Sequence, residues 1–255
     1  MSPRVEEQEL RTRAIGGVRE EVEAFGSAAP DSKLIRRQGL LAAVVPAAPQ
    51  RSLFNSVYYD DAEMLAAQLD VLAETYDASG VRAWTVWVPD GDRATAELLA
   101  GRGHVLDAEP RAMAMELGDF DAAPPEPAGV SMGRIDATTC AELNDLAYGY
   151  GADGFRAGLA RETAIRWYGA YRAGEPVGCV GAIEVSDDFC ITGVATQPEQ
   201  RGQGIASWLL CRALADACGR GLTSASLQAT RAGAPIYERL GFRDFGYLEM
   251  WELRR

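Results

Sequence analysis

Two rhythms of apolar and polar positions alternate along the chain, one at helical spacing and one at strand spacing. Val18 to Phe25 is spaced for a helix. Leu34 to Val45, beside the basic patch Lys33, Arg36 and Arg37, can hold a strand before Pro46 and Pro49 break it. Leu53 to Tyr59 is rich in β-formers. Asp60-Asp61 caps a helix over Ala62 to Tyr76, with an apolar stripe through Leu65, Leu69 and Leu72 and a stop at Gly80. Val81 to Val88 predicts a strand, Ala94 to Ala100 a short helix, and Met113 to Leu117 another strand.

Asp121 to Gly129 holds three prolines in nine residues and can join neither a helix nor a central strand. It divides the chain into residues 1–120, a linker 121–129, and residues 130–255. The pattern then restarts. Val130 to Ile135 predicts a strand and Thr138 to Tyr148 a helix, followed by the Gly/Tyr-rich loop through Tyr150 to Phe155. Ile165 to Arg172 and Val177 to Val185 predict a hairpin turning at residues 173–176. Phe189 to Thr196 is a strand, Trp208 to Cys218 a helix, Ser224 to Ala229 a strand, Pro235 to Arg239 a short helix and Tyr247 to Leu253 a last strand. Hairpins followed by strand–helix–strand–helix–strand make an α+β fold with a mixed, mostly antiparallel sheet. The first half mirrors the second, with Met113–Leu117 matching Met250–Leu253 and Gly103-His104 matching Gly241-Phe242, so we read an internal repeat.

Composition narrows the classes. Net charge is −12 and the acid is spread along the chain, which argues against nucleic-acid binding and suits a neutral or cationic small substrate, or simple solubility. No apolar run reaches the roughly 20 residues that span a bilayer. Met1 to Phe25 is charged and lacks a secretory core, so the expected compartment is the cytoplasm. Cys140, Cys179, Cys190, Cys211 and Cys218 sit in apolar patterns without CxxC spacing, and with one histidine no metal site is expected.

The chemistry concentrates at Thr196 to Ser207, where a strand, a glycine-bearing turn and a helix follow one another. Helix starts leave N–H groups without partners and favour an anion. Gly202 and Gly204 let an anion approach the backbone, and Arg201 adds a positive charge. A dinucleotide fold would want such a turn after the first strand of a βαβ unit, not after antiparallel hairpins, and no P-loop motif is present.

Arg201-Gly202-Gln203-Gly204-Ile205-Ala206 fits the R/Q-x-x-G-x-G/A signature of the GCN5-related N-acetyltransferase family. Tyr237-Glu238-Arg239-Leu240-Gly241-Phe242 resembles that family's Y-x-x-x-G-F segment, 36 residues downstream. The resemblance covers Val130 to Leu253, and the first half resembles the non-catalytic half of tandem members. It implies two acetyltransferase-like halves and acetyl-CoA as co-substrate. The pyrophosphate would lie on the turn formed by Gly202, Gln203, Gly204, Ile205, Ala206 and Ser207, with pantetheine along Val194, Ala195 and Thr196. Tyr237 would protonate the departing thiolate. Where the family often has an asparagine that contacts the pantetheine, seven residues before the tyrosine, this chain has Thr230, whose hydroxyl could replace part of that contact. In the first half the corresponding turn reads Asp60-Asp61-Ala62-Glu63 and the tyrosine position is Leu99, so no cofactor is expected there.

Glu184 is a candidate base, with an exposed strand carboxylate as the alternative; Asp187 and Asp188 read as turn formers. Tyr148, Tyr150 and Phe155 either shape the acceptor site or simply pack. The acceptor is a small-molecule amine or a peptide, and the chain a monomer or homodimer. A non-catalytic acetyl-CoA sensor and an assembly protein stand as the alternatives.

Overall fold

Caps and breakers set most of the element boundaries. Asp61, Asp92 and Asp136 each accept a hydrogen bond from the backbone N–H three residues on, at Met64, Thr95 and Thr139, and so start three helices. The computed structural model describes residues 5–118, 120, 124–151 and 154–255. Its first half contains α1 (Glu7–Phe25), β1 (Lys33–Arg37), β2 (Leu40–Val44), β3 (Ser56–Tyr59), α2 (Ala62–Ala78), β4 (Ala83–Pro89), α3 (Arg93–Gly101), β5 (Val105–Ala108) and β6 (Arg111–Glu116). The second contains β7 (Val130–Arg134), α4 (Ala137–Tyr148), α5 (Phe155–Gly158), β8 (Arg166–Arg172), β9 (Glu175–Val185), β10 (Asp188–Thr196), α6 (Ile205–Gly219), β11 (Ser224–Ala229), α7 (Ala234–Arg239) and β12 (Arg243–Arg254). The apolar stretch 34–45 is a hairpin, because Gly39 at φ 74° turns the chain between β1 and β2. Of the expected linker, residues 121–123 lie outside the described residues, and 124–129 form neither helix nor strand.

The chain forms two compact units. The C-terminal unit comprises Met1–Gly17, Arg111–Arg156 and Ala164–Phe245; the N-terminal unit comprises Val18–Pro110, Ala157–Thr163 and Gly246–Arg255. Each unit is therefore built from segments on both sides of the proline-rich stretch. The two strands that the repeat makes equivalent have exchanged places. β6 pairs with β11 in the C-terminal unit, Ser224 against Glu116 through Ala229 against Arg111. The main part of β12 pairs with β4 in the N-terminal unit, Leu248 against Pro89 through Arg254 against Ala83.

In the C-terminal unit the strands run β7-β8-β9-β10-β11-β6, antiparallel except for the parallel pair β10–β11. Parallel neighbours need a crossover, and α6 is that crossover. Side chains on β11 alternate between two faces. Ala225, Leu227 and Ala229 enter the main core with Trp208, Leu209, Ala213 and Leu214 of α6. Ser224, Ser226 and Gln228 face the first half of α1. There Arg13 donates to the Ser224 hydroxyl at 2.6 Å and pairs with Asp187 at 2.8 Å. Asp188 is buried and accepts from the hydroxyls of Ser224 and Ser226. The aspartates read from sequence as turn formers thus also anchor this helix.

The N-terminal unit repeats the plan. The hairpin β1–β2 leads to β3, α2 crosses over to β4, and β3–β4 is parallel with Ser56 against Thr85. Leu65, Leu69, Leu72 and Tyr76 of α2 are buried against the sheet.

Candidate acyl-transfer site

The site begins with an irregularity in β10. Its pairing with β9 runs from Asp188–Val185 to Thr192–Gly181, then resumes at Ala195–Cys179. Three steps along β10 therefore match two along β9, which is a β-bulge. Gly193 in the bulge has φ 57°, in the left-handed region that favours glycine. On the other edge, pairing with β11 stops at Ile191–Leu227, although β10 runs on to Thr196. Beyond Ile191 the parallel strands part. Among the described residues, one backbone edge of Thr192 to Thr196 is left without a strand partner, the arrangement that accepts an extended, amide-bearing chain.

The glycine turn follows directly. Pro198–Gln200 forms one turn of 3-10 helix, and Gln197 N–H donates to Val177 O at 3.0 Å. Gly202 and Gly204 have φ of 74° and 77°, and a Cβ at either would meet nothing within 4 Å. Conformation, not crowding, calls for glycine there. Gly204 caps α6 without a side-chain hydrogen bond, so the first N–H groups of α6, at Ile205, Ala206 and Ser207, are not covered by a cap. Ile205 is buried and anchors the helix start. Arg172, at the end of β8, donates to Gln203 Oε1 at 2.7 Å and also to Gln200. Arg201 donates to Ala147 O near the end of α4, so its guanidinium braces the turn against that helix.

Tyr237 reaches the site from α7. Its ring is 8% exposed and meets Phe242 edge-on, with centroids 5.7 Å apart. Burial pushes its phenol well above the usual tyrosine range, and Tyr148 adds to the effect. Tyr148 itself donates to Val194 O at 3.4 Å, which places it at the open edge of β10. Thr230 follows the end of β11, and its hydroxyl and carbonyl both accept from Gly233 N–H, at 3.1 and 2.9 Å. Its side chain builds the turn into α7.

The structure brings Val194, Ala195, Thr196, the turn 201–207 and Tyr237 to the same end of the β10–β11 pair. It places Glu184 elsewhere. Glu184 stands against Phe189 near the β9–β10 turn and is six residues from Gly178, the partner of Thr196. At about 3.4 Å per residue that is roughly 20 Å along the strand. Its carboxylate is held by Arg166 at 3.0 Å and by Arg220. The expectation that Glu184 serves as base is corrected here: it is an ion-paired residue at the wrong end of the strand.

Gly193 and Arg172 also belong to this site. A lone glycine inside an apolar strand pattern is a bulge signal, and Thr192-Gly193-Val194 carries it. Nothing in the sequence marks Arg172. Among the described residues there is no cluster of side chains suited to a metal ion, and none of the five cysteines forms a disulfide.

Residues 163–244 match the family model of the acetyltransferase (GNAT) domain. A search of curated proteins finds no match. Solved structures match over nearly the whole chain. A GCN5-related N-acetyltransferase from Kribbella flavida is 17% identical, with TM-score 0.67, over 94% of this chain and 95% of that one. A GCN5-related N-acetyltransferase from Sphaerobacter thermophilus is 19% identical, with TM-score 0.63, over 95% and 92%. A tandem GNAT protein from the clavulanic acid biosynthesis pathway is 16% identical, with TM-score 0.60, over 99% and 97%. At these identities the structural matches establish the fold, an α+β arrangement of two acetyltransferase-like units.

Proposed function

Taking residues 163–244 as the GNAT acetyltransferase domain they match, we propose that this chain moves an acetyl group from acetyl-CoA to an amine. The observation that carries the reading is the uncapped glycine turn at α6, set directly beyond the unpaired edge of β10. The chemistry of the site fits the group. Acetyl-CoA supplies an acyl group activated as a thioester, on a long amide-bearing arm that ends in phosphates. The N–H groups of Gln203 to Ser207 would hold the pyrophosphate, helped by the positive end of the α6 dipole. The free edge of Val194 to Thr196 would bind the amides of the arm, and N–H groups at the bulge would stabilise the oxyanion.

Tyr237 would protonate the leaving sulfur. Its phenol is neutral at pH 7 and, with its pKa raised, stays so until needed. A thiol has a pKa near 8.5, so neither sulfur nor phenol is a strong acid, and proton donation is driven by the charge that develops as the bond breaks. No side chain of this site serves as a dedicated base in this reading, and the amine would arrive neutral.

The N-terminal unit would hold no acetyl-CoA. At its corresponding helix start Asp61 already accepts from Met64 N–H, which puts a carboxylate where a phosphate would lie. At the tyrosine position Leu99 is fully buried. We place the protein in the cytoplasm, in keeping with cysteines that form no disulfide.

The test is calorimetry with acetyl-CoA beside CoA-thiol release over a panel of amines, on the native chain and on Gly204→Glu. The native chain should bind and turn over. A carboxylate at the helix start should abolish both, and equal activity in the two proteins would refute the reading. Binding without turnover on any amine would instead favour a sensor.

A further inference from the structure

Beside the open edge of β10 lies a row of aromatic rings. α4 ends at Tyr148, Gly149 turns the chain at φ 70°, and Tyr150 N–H returns to Asp145 O at 2.8 Å. The Asp145 carboxylate accepts from Phe155 N–H, also at 2.8 Å. These bonds fix three rings nearly parallel. Tyr148 and Tyr150 have centroids 6.1 Å apart at 24°, and Tyr150 and Phe155 are 6.1 Å apart at 17°. The Tyr148 hydroxyl meets the Val194 carbonyl, so the row starts at the bulge and leads away from it. Phe155 is buried as its base, whereas Tyr148 is 50% and Tyr150 41% exposed. Leu146 beside them is exposed as well. Rings held in order by these bonds to Asp145 yet left half open to water form a surface suited to a partner.

The charges around the row restrict that partner. Asp145 is committed to the loop backbone. Glu142 is paired with Arg156 at 3.1 Å. The fixed charge braced against the end of α4 is the cation Arg201. Arg201 therefore disfavours a second positive charge on the partner, and both carboxylates already have partners within the protein.

We propose that the acceptor is a primary amine carried on a flat, uncharged aromatic body, with its ring lying along Tyr148 and Tyr150 and its amine directed to the Val194 end. This rests on the acetyltransferase reading above. The reaction forms an N–acyl bond and breaks the thioester C–S bond. The amine loses one proton, and the sulfur leaves as a thiol with one gained.

The experiment compares 2-phenylethylamine, propylamine and spermidine as acceptors for the full chain, after acetyl-CoA binding is measured by calorimetry. The expected order of kcat/KM puts 2-phenylethylamine first. In Tyr150→Ala the ratio of kcat/KM for 2-phenylethylamine over propylamine should fall about tenfold, the size of one ring–ring contact, and Tyr150→Phe should keep it. Saturation-transfer NMR should show the phenyl protons in contact with the native chain and with Tyr150→Phe, and not with Tyr150→Ala. A preference for propylamine or spermidine in the native chain, or unchanged NMR contacts in Tyr150→Ala, would overturn the proposal while leaving acetyl transfer standing. Failure of the native chain to bind acetyl-CoA would overturn both.

Discussion

A Cβ on Gly193 would stand 2.8 Å from the indole ring of Trp167. The same ring closes on Gly181, the residue opposite the start of the bulge, where a Cβ would come to 2.6 Å. Two glycines on adjacent strands therefore make room for one indole, and that indole lies against the bulge. Packing on one side of the sheet is tied to strand shape where the thioester would lie.

Gly193→Val tests this link. The variant meets Trp167 and must hold a branched residue at positive φ, which together should cost about 1–3 kcal/mol. Melting temperature should fall, and kcat/KM should fall further than stability alone explains. Trp167→Leu in the same chain should recover the packing part but not the backbone part. If the two substitutions prove additive in both readouts, Trp167 does not set the bulge.

Tyr237→Phe removes one oxygen from a ring whose packing against Phe242 is otherwise kept. The expected result is a kcat about 10²- to 10⁴-fold lower with acetyl-CoA affinity unchanged. A weakened CoA affinity with unchanged kcat would make Tyr237 a binding residue.

The sequence carries the C-terminal half well because its signals are local. A glycine pair, a proline at a strand end and a tyrosine four residues before Gly241 are chemical features, and each sits on the element expected of it. Glu184 shows the limit: strand membership is readable in the sequence, but register is not, and register decides which end of β9 a residue occupies. Arg172 is a plain surface arginine until the fold brings β8 beside the turn. The strand exchange was hidden by the repeat itself. Met113–Leu117 and Met250–Leu253 share an apolar pattern, so pattern alone cannot say which sheet each joins.

That exchange makes a prediction about fragments. Residues 130–255, the natural cut by sequence, lack β6 and the first half of α1. Without β6, β11 loses the pairing of six residues and becomes an edge. Without Arg13, Ala14 and Gly17, the buried Asp188 and Cys190 and the partly buried Gln228 lose their cover. The fragment should be insoluble or lack sharp near-ultraviolet dichroism, whereas the full chain folds. In the full chain Arg13→Ala alone should cost about 1.5–3 kcal/mol, read from denaturant unfolding. A well-folded, soluble 130–255 fragment would show that these segments are dispensable.

The last prediction concerns His104, which occupies the place that Phe242 takes in the other half of the repeat. Its ring is 4% exposed and meets Trp84 edge-on at 4.6 Å, and Trp84 stacks on Tyr76 at 4.7 Å. Burial lowers its pKa to about 4; the Leu99 backbone opposes this and Arg102 adds to it. In the unfolded chain the value is near 6.5. Between those limits the unfolded chain takes up a proton that the folded chain refuses. The stability contributed by the neutral ring is therefore complete above about pH 6.5 and is lost as the pH falls toward 4, by at most about 3 kcal/mol. His104→Phe keeps an aromatic ring in the site and removes the titration. Its melting temperature should fall less than that of the native chain between pH 6.5 and 4, with the two curves converging in slope above pH 7. Parallel curves across the whole range would mean that His104 is not the group that makes this unit acid-sensitive.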